Sequence, residues 1–174
     1  SYQIAIQNLA AQQTLAVRDS FASTNEAVGT GTLSFVFGTT GYTQHASDNT
    51  SDTYDSFSAK AGVETKTVTI SDANSSLTGV RDAINAEEIG ITASIIGTEG
   101  SYRLVLMADA TGAENSVQIS VSSDGDGNNT DGNGLSRLAF YSSVGTANVY
   151  QTLGATDAAF TLNGLAFTSD TNTA

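Results

Sequence analysis

A mainly β fold of the α+β class, with one short α-helix packed on a sheet, is predicted by three features of this sequence. Apolar residues alternate with period two in segment after segment, and only one segment carries helical spacing. Ser and Thr supply 45 residues, where all charged side chains together supply 24. Alternation marks strands with one buried face, and Thr packs well on a pleated surface. Leu, Ile, Val and Phe number 38 of 174 residues, barely above the roughly 20% at which a highly charged chain stays disordered. A lean core is expected.

Taken in order, Ile4 and Ile6 alternate with Gln3, Ala5 and Gln7, the pattern of an opening strand. Residues 10–17 are ambiguous between strand and helix. After the Gly29-Thr30-Gly31 break, Leu33, Phe35 and Phe37 repeat the alternation. Residues 39–62 are polar and long for a structureless loop, so an insertion or extra hairpin is expected there. Residues 63–70, 91–96, 102–107 and 117–121 read as further strands. Leu77, Val80, Ala83 and Ile84 fall on one helical face, with Ser75 or Ser76 as N-cap and Gly90 placed to end the helix. Gly97-Thr98-Glu99-Gly100 and Asn163-Gly164 are hairpin signals, the second stronger because both residues tolerate positive φ. Residues 122–134 are a glycine, aspartate and asparagine loop, and 142–157 are weakly patterned, suiting a crossover.

At this length one or two small domains are expected. The segments at 2–10 and 158–167 read as edge strands lacking partners nearby in sequence, and open edges need covering. This predicts two small β-rich domains, one inserted in the other. Residues 1–29 and 144–174 form a split β domain, and 30–143 form the insert, carrying the helix over 77–89.

The formal net charge is −12, with only six Lys and Arg. Scattered at Arg18, Lys60, Lys66, Arg81, Arg103 and Arg137, they make no basic face, so no nucleic-acid partner is expected. Without cysteine there is neither a disulfide scaffold nor a thiolate zinc site. Apolar runs stay far below the roughly 20 residues of a membrane span, so a soluble chain without a membrane partner is expected. No secretory leader precedes the first strand, and an opening without methionine suits a fragment.

The candidate sites are few. Asp124-Gly125-Asp126-Gly127-Asn128-Asn129-Thr130-Asp131 has the alternating oxygen donors that calcium takes. It departs from the EF-hand pattern at Asn129, where glycine belongs, and at Leu135, where glutamate belongs, so a solvated turn-rich loop is the better reading. His45, the single histidine, has no nucleophile elbow to serve. Glu87 and Glu88 are adjacent and diverge on a helix end, and Gly29-x-Gly31 precedes a strand rather than a helix. Three Asn-x-Ser/Thr triplets, at Asn49, Asn74 and Asn128, arise easily in so Ser-rich a chain. No catalytic residue, metal ligand or cofactor site is expected. Tyr42, Tyr54 and Phe57, aromatic residues in a polar insert, are a possible contact surface, because loop aromatics often anchor partners. A small satellite core would use them equally well.

Several segments, read in order, resemble the flagellar hook-associated protein 2 family, the filament cap proteins of bacterial flagella. They are Tyr2-Gln3-Ile4-Ala5-Ile6-Gln7-Asn8-Leu9-Ala10, Gly29-Thr30-Gly31-Thr32-Leu33, Leu77-Thr78-Gly79-Val80-Arg81-Asp82-Ala83-Ile84-Asn85, and Tyr102-Arg103-Leu104-Val105-Leu106 with Thr111-Gly112. Asp157-Ala158-Ala159-Phe160-Thr161-Leu162-Asn163-Gly164 and Thr171-Asn172 complete the set. The stretch 39–62 is longer than in most members, and the terminal helices that join subunits in the family are absent. The resemblance implies a secreted structural protein of cell motility, not an enzyme, located outside the cell at the flagellum tip. It implies self-association into a ring, with coiled-coil helices in the full-length protein, and flagellin as partner. The mechanism implied is steric: a ring that holds a space in which flagellin folds and is incorporated. A surface adhesin or carbohydrate- or host-binding β module is the alternative.

Overall fold

Residues 3–44 and 52–173 are described in the computed structural model. The chain begins with strands β1 (Ile4–Asn8), β2 (Thr14–Val17), β3 (Gly31–Thr43), β4 (Thr53–Ala59) and β5 (Lys66–Ile70). The helix α1 (Leu77–Ala86) follows, then β6 (Ile91–Thr98), β7 (Ser101–Ala108) and β8 (Ser116–Ser122). Strands β9 (Val149–Leu153), β10 (Ala158–Leu162) and β11 (Leu165–Ser169) close it. The mainly β, one-helix class is therefore the one observed. Among the described residues no helix is long and apolar enough to cross a membrane.

Three antiparallel sheets result. One runs β6-β7-β2-β9, a second is centred on β3 with β4, β5 and β8 as neighbours, and the third is β1-β10-β11. Leu33 and Phe35 of β3 face Val68 and Lys66 of β5 across one edge, and Val121 and Ile119 of β8 across the other. Both β3 residues are wholly buried, as the alternation requires. The first two sheets share one core, with Leu15, Val17, Leu104 and Leu106 from one and Leu33, Phe35, Val68 and Ile119 from the other.

The helix joins this core. Ser76 caps its start, its side chain accepting from the Gly79 amide at 3.1 Å, and Leu77, Val80 and Ile84 are buried on one face. It touches β5 of one sheet and β6 of the other. It ends at Ala86 rather than reaching residue 89, because Glu88 takes a left-handed φ of 46° before Gly90 does the same at 87°. Asn85 leaves the apolar face but is not idle. Its side-chain amide accepts from the Ala93 N–H at 2.7 Å and donates to the Ala93 carbonyl at 2.9 Å, covering part of the open edge of β6.

Both hairpin turns form as expected. Thr98 pairs with Ser101 around Glu99-Gly100, and Leu162 pairs with Leu165 around Asn163-Gly164, whose φ values of 51° and 83° suit a type I′ turn. The ambiguous segment at 10–17 ends as β2, three of its four residues buried. The insert at 39–62 is an extra hairpin, made by β4 folding back on the second half of β3. Two segments depart from expectation. The weakly patterned 142–157 contains β9, which pairs with β2. Residues 134–140, bordering the polar loop, form a 3₁₀ turn and a short bridge, and bury Leu135, Leu138 and Phe140 completely.

The chain ends pair, Ile4 opposite Leu162 and Ile6 opposite Phe160. Strands β2 and β9, assigned from sequence to the split unit, hydrogen-bond in the same sheet as β6 and β7, assigned to the insert.

Removing the δ and γ carbons of Ile84 empties the seat of the helix. Ile84→Ala is expected to cost about 2–5 kcal/mol, out of the roughly 5–15 kcal/mol typical of a whole domain. Urea and thermal unfolding followed by circular dichroism measure it, and a variant that melts with the parent would show that the helix is not seated through this residue.

Candidate interaction surfaces

The aromatic insert is built around Phe140. Tyr54 is 7% exposed and meets the Phe140 ring edge-on at 4.8 Å, and Tyr42 lies tilted at 6.1 Å from the same ring. The Tyr42 hydroxyl donates to Asp52 Oδ2 at 2.8 Å and accepts from the Gln151 amide at 3.1 Å, which ties the hairpin to β9. Phe57 lies opposite Thr40 in the β3–β4 register and is half-buried against the core. Its ring passes over Gly38, where a Cβ would collide with it and with the Ser58 carbonyl. The three aromatics thus anchor the hairpin, with Tyr42 and Phe57 keeping an exposed rim. Burial raises both tyrosine hydroxyls: Tyr42 rises well above its ordinary value, and Tyr54 is pushed up to about 12.

The aspartate loop turns its oxygens on its own backbone. Asp124 is 6% exposed, and its carboxylate accepts from the Ser136 amide at 2.6 Å and the Leu135 amide at 3.2 Å. The next acceptors repeat at two-residue steps. Asp126 takes the Asn128 N–H, Asn128 takes that of Thr130, and Asp131 takes that of Asn133. These are Asx turns, and they account physically for the alternation that imitates a calcium loop. The Asp131 carboxyl is held below its ordinary value first by the Asn133 amide and then by the Ser136 hydroxyl. Among the described residues no group of His, Asp and Glu is arranged to hold a metal ion.

Other sequence candidates find structural places. Gly29 and Gly31, with φ of 147° and 143°, let the loop come close, since a Cβ on either would strike backbone of residues 122–124 or 134–135. Thr30 between them accepts the Gly125 amide at 2.9 Å. Glu87 and Glu88 are exposed at the helix end. The Asn74 side chain accepts from the Ser71 amide at 2.7 Å. His45 and Asn49 lie outside the described residues.

The surface that sequence reading missed is the third sheet. Ile4, Leu162 and Leu165 stand in one row across it, and Ile6, Phe160 and Phe167 in the next, all on one face. Phe160 and Phe167 stack at 5.7 Å. Ile4, Ile6 and Leu165 are 64%, 66% and 67% exposed, and a groove of about 350 Å³ runs beside Ile4, Ile6, Leu9 and Phe160. Alternation in each strand signals such a face. What it does not reveal is that none of the described residues covers it.

No family model matches the chain. Flagellar hook-associated protein 2 of Escherichia coli (strain K12) is 30% identical over 174 residues, which is 99% of this chain and 31% of that protein. The B-type flagellar hook-associated protein 2 of Pseudomonas aeruginosa is 31% identical over 142 residues, 80% of this chain and 24% of that protein. The chain therefore spans about a third or less of the length of the curated relatives it matches. Among solved structures, the D2-D3 domains of the flagellar cap protein FliD from Escherichia coli superpose with a TM-score of 0.77 at 29% identity. That match covers 99% of this chain and 75% of the other.

Three outcomes follow from the geometry. Because the Asp124 oxygens already hold two buried amides, millimolar calcium is expected to leave the melting temperature unchanged, whereas binding at a hundredfold excess over Kd would add about 2.7 kcal/mol. Asp124→Ala, by contrast, is expected to cost about 1.5–3 kcal/mol through the charge-assisted bonds it removes. Calorimetric melts with calcium and with chelator check both. For the tyrosines the folded state favours the neutral hydroxyl, so their contribution is complete below the ordinary value of 10.0 and is lost as pH rises through about 12. Phenolate absorbance during an alkaline titration should show these two hydroxyls ionising only as the protein unfolds.

Proposed function

Because the chain belongs to the flagellar hook-associated protein 2 family, we propose that it is the outer, mainly β part of a filament cap at the tip of a bacterial flagellum. The observation that carries this reading is the match to the FliD D2-D3 domains, at 29% identity over 99% of the chain. In this reading the full-length protein self-associates into a ring on the filament, and the ring shelters flagellin while it folds and is incorporated. The part described here contributes rigid surface rather than chemistry, so no bond is made or broken by it. The adhesin alternative has no support among the relatives and structures described above.

Two finer proposals accompany it. The first is the split-and-insert division, with residues 1–29 and 144–174 as one β unit and residues 30–143 as the insert. The exposed rims of Tyr42 and Phe57, held in place by buried Tyr54, form a contact surface in the assembled cap.

The experiment removes the gene for the full-length parent protein and restores it from a plasmid. The deletion strain is expected to shed flagellin into the medium and to lack filaments, with both reversed on complementation. Negative-stain electron microscopy of the purified full-length protein is expected to show rings. Normal filaments without the gene, or a protein that stays monomeric at every concentration, would overturn the cap reading.

A further inference from the structure

The four-stranded sheet β6-β7-β2-β9 gives one face to the core and the other to solvent. On the outer face, register sets Arg103 beside Ile96, Val105 between Ser94 and Ala16, and Met107 between Thr92 and Thr14. The exposed apolar residues Ile96, Met107 and Leu153 stand there singly, so this is no apolar patch. What distinguishes the face is its charge. At one end Arg103 is half-buried and donates through one terminal nitrogen to the carbonyls of Val17 and Arg18. Its other guanidinium nitrogens make no bond among the described residues. Beside it Arg18 lies over the Tyr150 ring at 4.9 Å. At the other end Asp109 is exposed, and its carboxylate accepts from the Thr92 hydroxyl at 2.6 Å. Among the described residues neither Arg103 nor Asp109 has an ion-pair partner. They cannot pair with each other, being about 20 Å apart along one extended strand.

We propose that this face docks on the same face of a second copy of the chain, around a two-fold axis that crosses β7 near Leu106. A two-fold perpendicular to the sheet reverses the strand, so Arg103 of each copy meets Asp109 of the other, and Leu106 is midway between them in sequence. Charge complementarity names the occupant. A partner of one sign would pair one end and leave the opposite charge at the other end desolvated, whereas a second copy pairs both ends at once. Both groups are already held by neighbours, so little ordering is lost on docking. Next to the axis, Val105 of one copy lies against Met107 of the other, across the roughly 10 Å that separates stacked sheets. Four strands and six residues of length give roughly 400 Å² of sheet per copy, about half of the 800 Å² or so that a standard interface takes from each partner. The contact is therefore weak, and it fills when copies are held close together. It does not rest on the cap reading, because an isologous pair closes at two and a ring needs a heterologous contact.

The test uses the full-length parent in a cysteine-free background, carrying Met107→Cys next to the axis or, as control, Val63→Cys, which is exposed in the turn before β5. A short bismaleimide is expected to link the first into dimers at least about tenfold faster than the second, because docking raises the effective concentration of the paired thiols. Adding Arg103→Glu or Asp109→Arg should slow that linking about tenfold. Combining the two restores opposite charges across the axis and should recover it, as a double-mutant cycle requires of a direct pair. Met107→Cys that links no faster than the control overturns the proposal. So does linking that ignores both reversals, or that stays lost when they are combined. Should the reversed variants not fold, salt decides on Met107→Cys alone. At about 1 M, where charges are screened beyond about 3 Å, linking should slow several-fold, and an unchanged rate overturns the charge pairing. Rings are scored separately by electron microscopy, so the cap reading stands or falls on its own.

Discussion

Everything in the body of this protein depends on β3 being paired along both edges. Leu33 and Phe35 sit between β5 and β8, segments about 35 and 85 positions away in sequence, and both side chains are completely buried. Once that strand is central, its alternation decides which face is core. Phe35 and Leu33 then set the level at which Leu15 and Leu106 of the other sheet complete the interior. The long second half of β3 follows from the same strand running on past Gly38, where β4 takes over as partner. A lean chain can close a core this way because strands contribute one buried residue in two, so few apolar side chains serve many positions.

The elements legible in the sequence were those whose reasons are local. Asn163-Gly164 takes positive φ at little cost, and Ser76 with Leu77, Val80 and Ile84 states a capped amphipathic helix outright. The unread elements owe their form to distant partners. Strand β9 exists because β2, more than 130 residues earlier, offers an open edge, and only Val149 of its five residues is buried. Residues 134–140 look like the end of a polar loop, yet Phe140 exchanges backbone bonds with Ile119 and receives the rings of Tyr42 and Tyr54. For the candidate surfaces, the aromatic insert was visible as a cluster, but its inward orientation is set by Phe140, Asp52 and Gln151. The apolar sheet face was visible as alternation in three strands, and its openness is a property of what stands opposite, which no strand encodes.

Charge contributes little to holding this chain together, and polar side chains take over the task by binding backbone. Among the described residues the one ion pair is between neighbours Arg81 and Asp82, both partly or largely exposed, where such pairs contribute little. Arg18 donates to the Thr146 carbonyl, and Arg103 to the carbonyls of Val17 and Arg18. Gln13, 1% exposed, accepts from the Val117 amide and donates to Gln151, linking the two sheets of the body through one side chain. Asp124, Asn148 and Asn85 do the same at a loop, a strand approach and a sheet edge. With a net charge of −12, attractive pairs are scarce, so amide and hydroxyl donors to fixed backbone acceptors are the available means of satisfying buried polar groups.

The same economy separates the two parts of the molecule. In the body, sheets, helix and the 134–140 segment enclose one another, and the large apolar side chains left exposed there are scattered singly, as Val63, Ile96, Met107 and Leu153. In the third sheet they are gathered on one face in two cross-strand rows. Scattered exposure needs no explanation, whereas six apolar side chains on one face of a small sheet form a contiguous patch of the kind that marks a contact site. The cross-strand order points the same way. Ile6, Phe160 and Phe167 form a continuous ridge only because the bulge between Ile6 and Asn8 falls after Ile6, leaving both upper rows in register. A slip of one residue would turn an apolar face over, and the pairing of Ile4 with Leu162 and of Ile6 with Phe160 keeps all six side chains on the same side of the sheet.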